Sequence, residues 1–426
     1  MIRTLAPPAI VVLVVTALSL LQPTLAIGRD IRFEALASLV DARRTYMGDP
    51  GPSLVAANRL RLDHRAPIYD ADLRVGSAYI YPPLACALYA PVATLPEDGA
   101  RQTLADVNLL LLCIIVALSA ALGPRRGVAG IVLAALTAIL FYPLVHAIQL
   151  NQATVLVTTL AGGAMLALDR KRPALAGLLL GATFAIKPQL VLVLPFLVWR
   201  ARPAVISAIA TSLVLLLASL AYAGIDNHVD YVTRVLPTLS AGYAYYANQS
   251  WSALVQRSFF TGDISFFALT PAPYGLRALG WGLGALSYGA GMAMVWRWRE
   301  REVAPALLLG LGWLVATMTS PIAWQHHYAP ALFVFAMLLR AAEQDARLRV
   351  PAVTVPLAAA FALMPSYFEV RGLHGAVSRL AVSYLLFGAA LLATSLAVLL
   401  ERGLLSARPE AASWTPPWAP AASPSP

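Results

Sequence analysis

Residues 173–198 read PALAGLLLGATFAIKPQLVLVLPFLV, with Arg170-Lys171-Arg172 just before them and Arg200-Ala201-Arg202 just after. The run is about 26 residues, and a helix needs about 20 apolar residues to cross a bilayer. Lys187-Pro188 splits it, leaving halves of about 13 residues that are too short to cross alone. Basic clusters mark cytoplasmic ends, and here both ends carry one. The pattern predicts a helical hairpin that enters from the cytoplasm, turns at the proline and returns. A chain built around such an element is an all-α polytopic membrane protein.

The rest of the sequence agrees. Of 426 residues, 59% are hydrophobic and 12% charged, with mean hydropathy +0.70. A soluble domain carries about 25% charged residues. The net charge of +10 would suggest nucleic acid in a soluble protein. Here the basic residues sit in short clusters beside apolar runs, so they report orientation and no nucleic-acid partner is expected. Cys86 and Cys113 lie in apolar stretches with neither zinc spacing nor a disulfide framework.

Ten spans are expected, at 8–26, 104–122, 128–145, 153–168, 204–223, 278–296, 304–319, 329–339, 350–364 and 376–400. The first is expected to be retained rather than cleaved as a signal. With Arg3 in the cytoplasm, ten crossings put every basic cluster on the cytoplasmic side. The segments 28–101, 146–152, 224–277, 320–328 and 366–375 then face outward. The expected organisation is a first helix at 1–27, a charged outer loop at 28–101, a helix bundle at 102–406 and a disordered cytoplasmic tail at 407–426. Residues 81–96 (YPPLACALYAPVATLP) read as an interfacial or re-entrant helix following the charged loop.

Chemistry-bearing residues gather on the outer face. Asp30 follows the first span, where a partly wet carboxylate can take a proton from a hydroxyl. Glu34, Asp41, Asp49, Asp63, Asp70 and Asp72 compete for that role, and spacing eliminates none. Lys187 costs about 2.5–3.5 kcal/mol to place at mid-membrane, so it calls for a polar cavity and an anionic partner such as phosphate. In Trp324-Gln325-His326-His327-Tyr328 one histidine can face the same cavity. The other can hold the turn. Asn151-Gln152 and Asn248-Gln249-Ser250 offer amides that suit sugar hydroxyls, helix caps or loop bonds.

Read together, Asp30, Ile68-Tyr69-Asp70, Tyr79-Ile80-Tyr81-Pro82-Pro83-Leu84, Asn151-Gln152, Lys187-Pro188, Asn248-Gln249-Ser250 and Ser320 to His327 carry a family likeness. The chain resembles glycosyltransferase family 87, enzymes of the GT-C architecture that include polyprenol-phosphate-mannose-dependent α-mannosyltransferases of bacteria. The resemblance implies an inverting hexosyltransferase in the plasma membrane, with its site on the extracytoplasmic face. The donor would be a polyprenyl-phosphate sugar and the acceptor a glycolipid or glycan. It implies Asp30 as base; Lys187, His326 and His327 at the donor phosphate; and Tyr81, Asn151, Gln152, Asn248, Gln249 and Trp324 at the substrates. Phe33 stands where the family pattern has a tyrosine or a relative, and residues 37–68 hold a longer arginine-rich insertion. Side chains can balance a monophosphate leaving group, so no metal and no cofactor are expected, and the protein is expected to be a monomer. A transporter or flippase of lipid-linked sugars also fits an intramembrane lysine. It would, however, favour paired broken helices in two matching halves, which the sequence lacks.

Overall fold

The computed structural model describes residues 34–69, 73, 78–124, 127–260, 262, 264, 272–365 and 376–405. The expected first span at 8–26, Asp30, Asp70, Asp72, the turn at 366–375 and the tail at 407–426 lie outside these residues.

Among the described residues every named element is helical. In chain order the α-helices are α1 Pro50–Leu62, α2 Glu97–Leu122, α3 Val128–Leu140, α4 Tyr142–Gln149, α5 Thr154–Asp169 and α6 Pro173–Ile186. They continue with α7 Arg202–Asp230, which runs on helically to Ser240, α8 Trp251–Phe259, α9 Tyr274–Arg297 and α10 Pro305–Thr319. The last four are α11 Ala331–Gln344, α12 Pro351–Leu363, α13 Ala376–Ala381 and α14 Tyr384–Glu401. Proline stands in the first turn of α1, α4, α6, α7, α10 and α12. There its missing N–H costs nothing and its fixed φ favours the helix.

Four helices are long and apolar enough to cross a membrane: α2, Arg202–Ser240, α9 and α14. The α3–α4 pair, bent by 65°, would make a fifth. The expectation of ten full spans is not confirmed by length and composition among the described residues. Helices α5, α6, α10 and α12 are apolar but shorter. Helix α10 shows why hydropathy misleads here. Every residue from Ala306 to Met318 is buried, so this helix is apolar because protein surrounds it on all sides. The expected last span is broken at Val382-Ser383. The expected outer loop at 224–277 is largely helix, since α7 continues past a kink at Gly224 and α8 follows. Residues 81–96 form two short 3₁₀ helices, Pro83–Leu88 and Val92–Thr94, because Pro91 interrupts any longer one.

Packing fixes the course of the chain around Lys187. A Cβ on Gly177 would lie 2.2 Å from the Ala204 carbonyl oxygen, and one on Gly181 would lie 2.6 Å from Thr211 Cβ. Rising numbers on α6 thus meet rising numbers on α7, so the two helices run parallel and touching. The chain must travel back along α6 before α7 can start. A 3₁₀ segment, Pro188–Phe196, makes that return. Its nine residues span about 18 Å at 2.0 Å each, against about 21 Å for α6. Lys187 sits at the turning point, with φ −132° and ψ 83°, the extended geometry that a following proline imposes. Both flanking basic clusters lie at the opposite end. Phe196 closes the return against α9 and α10, where Gly291 and Gly312 leave room for its ring.

This packing is testable. Gly177→Ala should destabilise by about 1–3 kcal/mol or more, because a backbone carbonyl cannot move aside. Gly275→Ala, which meets nothing within 4 Å, is the control. Equal thermal unfolding midpoints for the two variants in detergent would contradict the close approach of α6 and α7.

A second, smaller core forms where residues 50–104 pack on the far end of α7. It includes Ala57, Leu60, Tyr69, Tyr79 and Cys86 against Ala223, Tyr231 and Val235. Asn227 fastens the segment, accepting from the Ile68 N–H at 3.1 Å and donating to the Ala66 carbonyl at 3.0 Å. Tyr69 donates to the Tyr81 carbonyl at 2.6 Å, and Tyr79 to that of Pro82 at 2.7 Å. These bonds set the Tyr81-Pro82-Pro83 turn above the end of α6.

Candidate active site at the Lys187 turn

Lys187 is 4% exposed. Its Nζ lies 2.6 Å from His327 Nε2 and 5.9 Å from the centroid of the Tyr81 ring. An ammonium only donates, so His327 Nε2 accepts when the lysine is charged. Among the described residues Lys187 makes no ion pair. A lysine this buried, bonded to an imidazole and in no ion pair with a carboxylate among the described residues, is favoured in its charged form by an incoming anion. A small cavity beside it is lined by Lys187, His327, Thr154, Thr317, Ser320 and Trp313. The buried hydroxyls of Thr154 and Thr317 have no hydrogen-bond partner among the described residues.

The histidine turn is held by the loop after α7. Gln249 N–H donates to Ala323 O at 2.6 Å, and Gln325 N–H to Ala247 O at 3.1 Å, around the isolated bridge Asn248–Trp324. The Tyr328 hydroxyl donates to Gln249 O at 2.6 Å. Two expected sugar ligands take part in holding this turn. Asn248 and Gln249 are fully buried, and their amides are spent on backbone. Asn248 Oδ1 accepts from Ala323 N–H, and its Nδ2 donates to Tyr243 O and Pro321 O. Gln249 Nε2 donates to Tyr246 O and Val382 O, each at 2.8 Å. They clamp the turn. Arg257 tightens the same clamp. It is fully buried, and its guanidinium donates to Tyr245 O at 3.0 Å and Ser383 Oγ at 2.7 Å.

His326 and His327 point apart, with ring planes 79° to one another. His327 meets Lys187. His326 turns toward α4, its ring 6.2 Å from that of His146, and its buried Nε2 has no partner among the described residues. Trp324 is partly exposed and meets Tyr245 edge to face at 5.9 Å. Among the described residues no three His, Cys, Asp or Glu side chains are placed to hold a metal ion.

Asn151-Gln152 forms the opposite wall. Asn151 has φ +56°, a left-handed conformation that asparagine tolerates better than most residues. Its Oδ1 accepts from Asn108 Nδ2 at 2.7 Å, which braces the turn on α2, and its own Nδ2 has no partner among the described residues. The turn projects Gln152 toward Tyr81, whose hydroxyl donates to Gln152 Oε1. Gln152 Nε2 donates to Asp49 Oδ2.

Asp49 is the functional candidate that spacing alone could not select. Burial raises its pKa above the usual carboxylate range, opposed by the Gln152 hydrogen bond and the Lys187 charge. Three of its described competitors are engaged elsewhere: Glu34 and Asp41 pair with Arg44, and Asp63 accepts from the Arg65 N–H. Gly48-Asp49-Pro50 reads only as a helix start, and nothing in the sequence ties it to Gln152.

The sequence matches the profile of glycosyltransferase family 87 over residues 79–321. That is more than half of the chain, and it holds Tyr81, Asn151, Gln152, Lys187, Asn248 and Gln249. No curated protein and no solved structure shows significant similarity to the chain.

Proposed function

The chain belongs to glycosyltransferase family 87, and from that premise we propose that it transfers mannose from polyprenyl phosphate to a glycolipid or glycan on the extracytoplasmic side of the plasma membrane. One observation carries the reading: a buried lysine at the turn of a helix hairpin, free of any ion pair among the described residues and joined to His327. A donor phosphate would supply the directly paired anion that Lys187 does not have among the described residues.

In this reading Lys187 and His327 hold the phosphate, and the unpartnered hydroxyls of Thr154 and Thr317 lie close enough to supplement them. Tyr81 and Gln152 line the approach to the sugar, with Trp324 and Asn151 nearby. An acceptor hydroxyl attacks the anomeric carbon in line, so the new C1–O bond forms as the C1–O bond to phosphate breaks. Polyprenyl phosphate departs, and its developing charge falls on Lys187. The acceptor proton goes to Asp30 as base. Attack opposite the leaving group inverts the anomeric configuration.

Purified protein in lipid, given labelled polyprenyl phosphate mannose and a membrane lipid extract, should form a labelled glycolipid or glycan. The same assay with glucose or arabinose donors identifies the sugar. Transport of a lipid-linked sugar across vesicles without any glycosidic product would replace this reading with that of a flippase.

A further inference from the structure

A carboxylate one residue ahead of a helix normally turns back to accept from that helix's own N–H groups. Asp49 stands directly before α1, yet its side chain makes no such bond. It reaches instead to Gln152, on the turn between α4 and α5. Gln152 in turn accepts from Tyr81, whose ring lies beside Lys187. Three segments remote in sequence thus meet in one chain of hydrogen bonds that ends next to the lysine.

The direction of that chain is set at one end. An ionised carboxylate accepts and cannot donate. Gln152 must therefore offer its NH₂ to Asp49 and its oxygen to Tyr81. Tyr81 must then donate to Gln152, which leaves the phenol oxygen as an acceptor toward the site. With a neutral group at position 49 the amide can turn over, and the Tyr81 proton is free to point elsewhere. We infer that Asp49 is a positioning residue for the transfer reaction, setting through Gln152 the donor–acceptor sense of Tyr81 beside the donor-phosphate seat. The inference rests on the reading of that seat given above.

The titratable groups facing Asp49 are Tyr46 on its own loop, Tyr81 and Tyr89 on the next segment, and Lys187. Its raised pKa brings protonation closer to working pH. The ordered chain is complete above that pKa and is lost as pH falls through it.

The test uses the full-length protein in lipid with polyprenyl phosphate mannose, comparing Asp49→Asn, Asp49→Glu, Gln152→Leu and the Asp49→Asn/Gln152→Leu pair. Asp49→Asn and Gln152→Leu should each lower kcat/KM by about 10- to 100-fold. The double variant should be no worse than Gln152→Leu, because Asp49 acts through Gln152. Asp49→Glu should recover part of the loss, and the acid limb of the pH profile should move in Asp49→Asn. If that variant does not fold, Gln152→Leu alone should move the same limb. Additive losses in the double variant would overturn the inference. A wild type that transfers nothing overturns the parent reading and this inference together. An active wild type with a silent Asp49→Asn overturns this inference alone.

Discussion

Lys187→Met should abolish sugar transfer while leaving the protein folded and no less stable. Methionine keeps most of the apolar stem of lysine and removes the ammonium, with its charge and its bond to His327. Removing one preorganised group from a developing negative charge costs about 10²–10³-fold in kcat, or about 2.7–4 kcal/mol. The structure argues for the upper end, because Lys187 is 4% exposed and makes no ion pair among the described residues. Stability should move the other way. A lysine in the membrane costs about 2.5–3.5 kcal/mol on insertion scales, and methionine relieves that cost. Transfer rates at saturating donor, set beside thermal unfolding in the same detergent, separate the two effects. A variant that loses stability and activity in proportion would mark Lys187 as structural.

Asp30→Asn is the second large effect. A general base contributes about 10²–10⁴-fold, so turnover should fall by that factor. Donor binding should change little, since the proposed phosphate seat of Lys187 and His327 lies on other segments. Single-turnover transfer and binding of labelled donor distinguish these outcomes. Turnover preserved in Asp30→Asn would remove Asp30 from the role, and Asp49, placed on Gln152 in the site, would be the next carboxylate to test as base. The two residues differ in expected severity: loss of the base stops proton removal, whereas loss of Asp49 loosens the geometry around Tyr81.

The break at Lys187-Pro188 was readable because local chemistry forces it. Proline disfavours the helical region for the residue before it, Lys187 is extended there, and the basic clusters on both sides do not depend on tertiary contacts. The number of spans was not readable in the same way. Hydropathy measures what a helix touches, and for α10 that is other helices on every face. Asp49 was hidden for a different reason. Its partner Gln152 is 103 residues away, and the link exists only because α1 and the α4–α5 turn pack at the same end of the bundle.

Asn248 and Gln249 teach the converse lesson. Amides set among aromatic residues read as sugar ligands, but a buried loop must satisfy its own backbone first. Every amide group of this pair goes to that task. Which of His326 and His327 meets Lys187 depends on the sense of the 3₁₀ turn Gln325–Tyr328, which spacing does not reveal.

The account stands on Lys187 and His327 as the seat of the donor phosphate. An experimental structure of the protein in lipid with polyprenyl phosphate bound tests it most directly. A phosphate oxygen should lie within about 3 Å of Lys187 Nζ, with the Asp30 carboxylate opening into the same cavity. A phosphate seated elsewhere, with Lys187 still closed on His327, would contradict it.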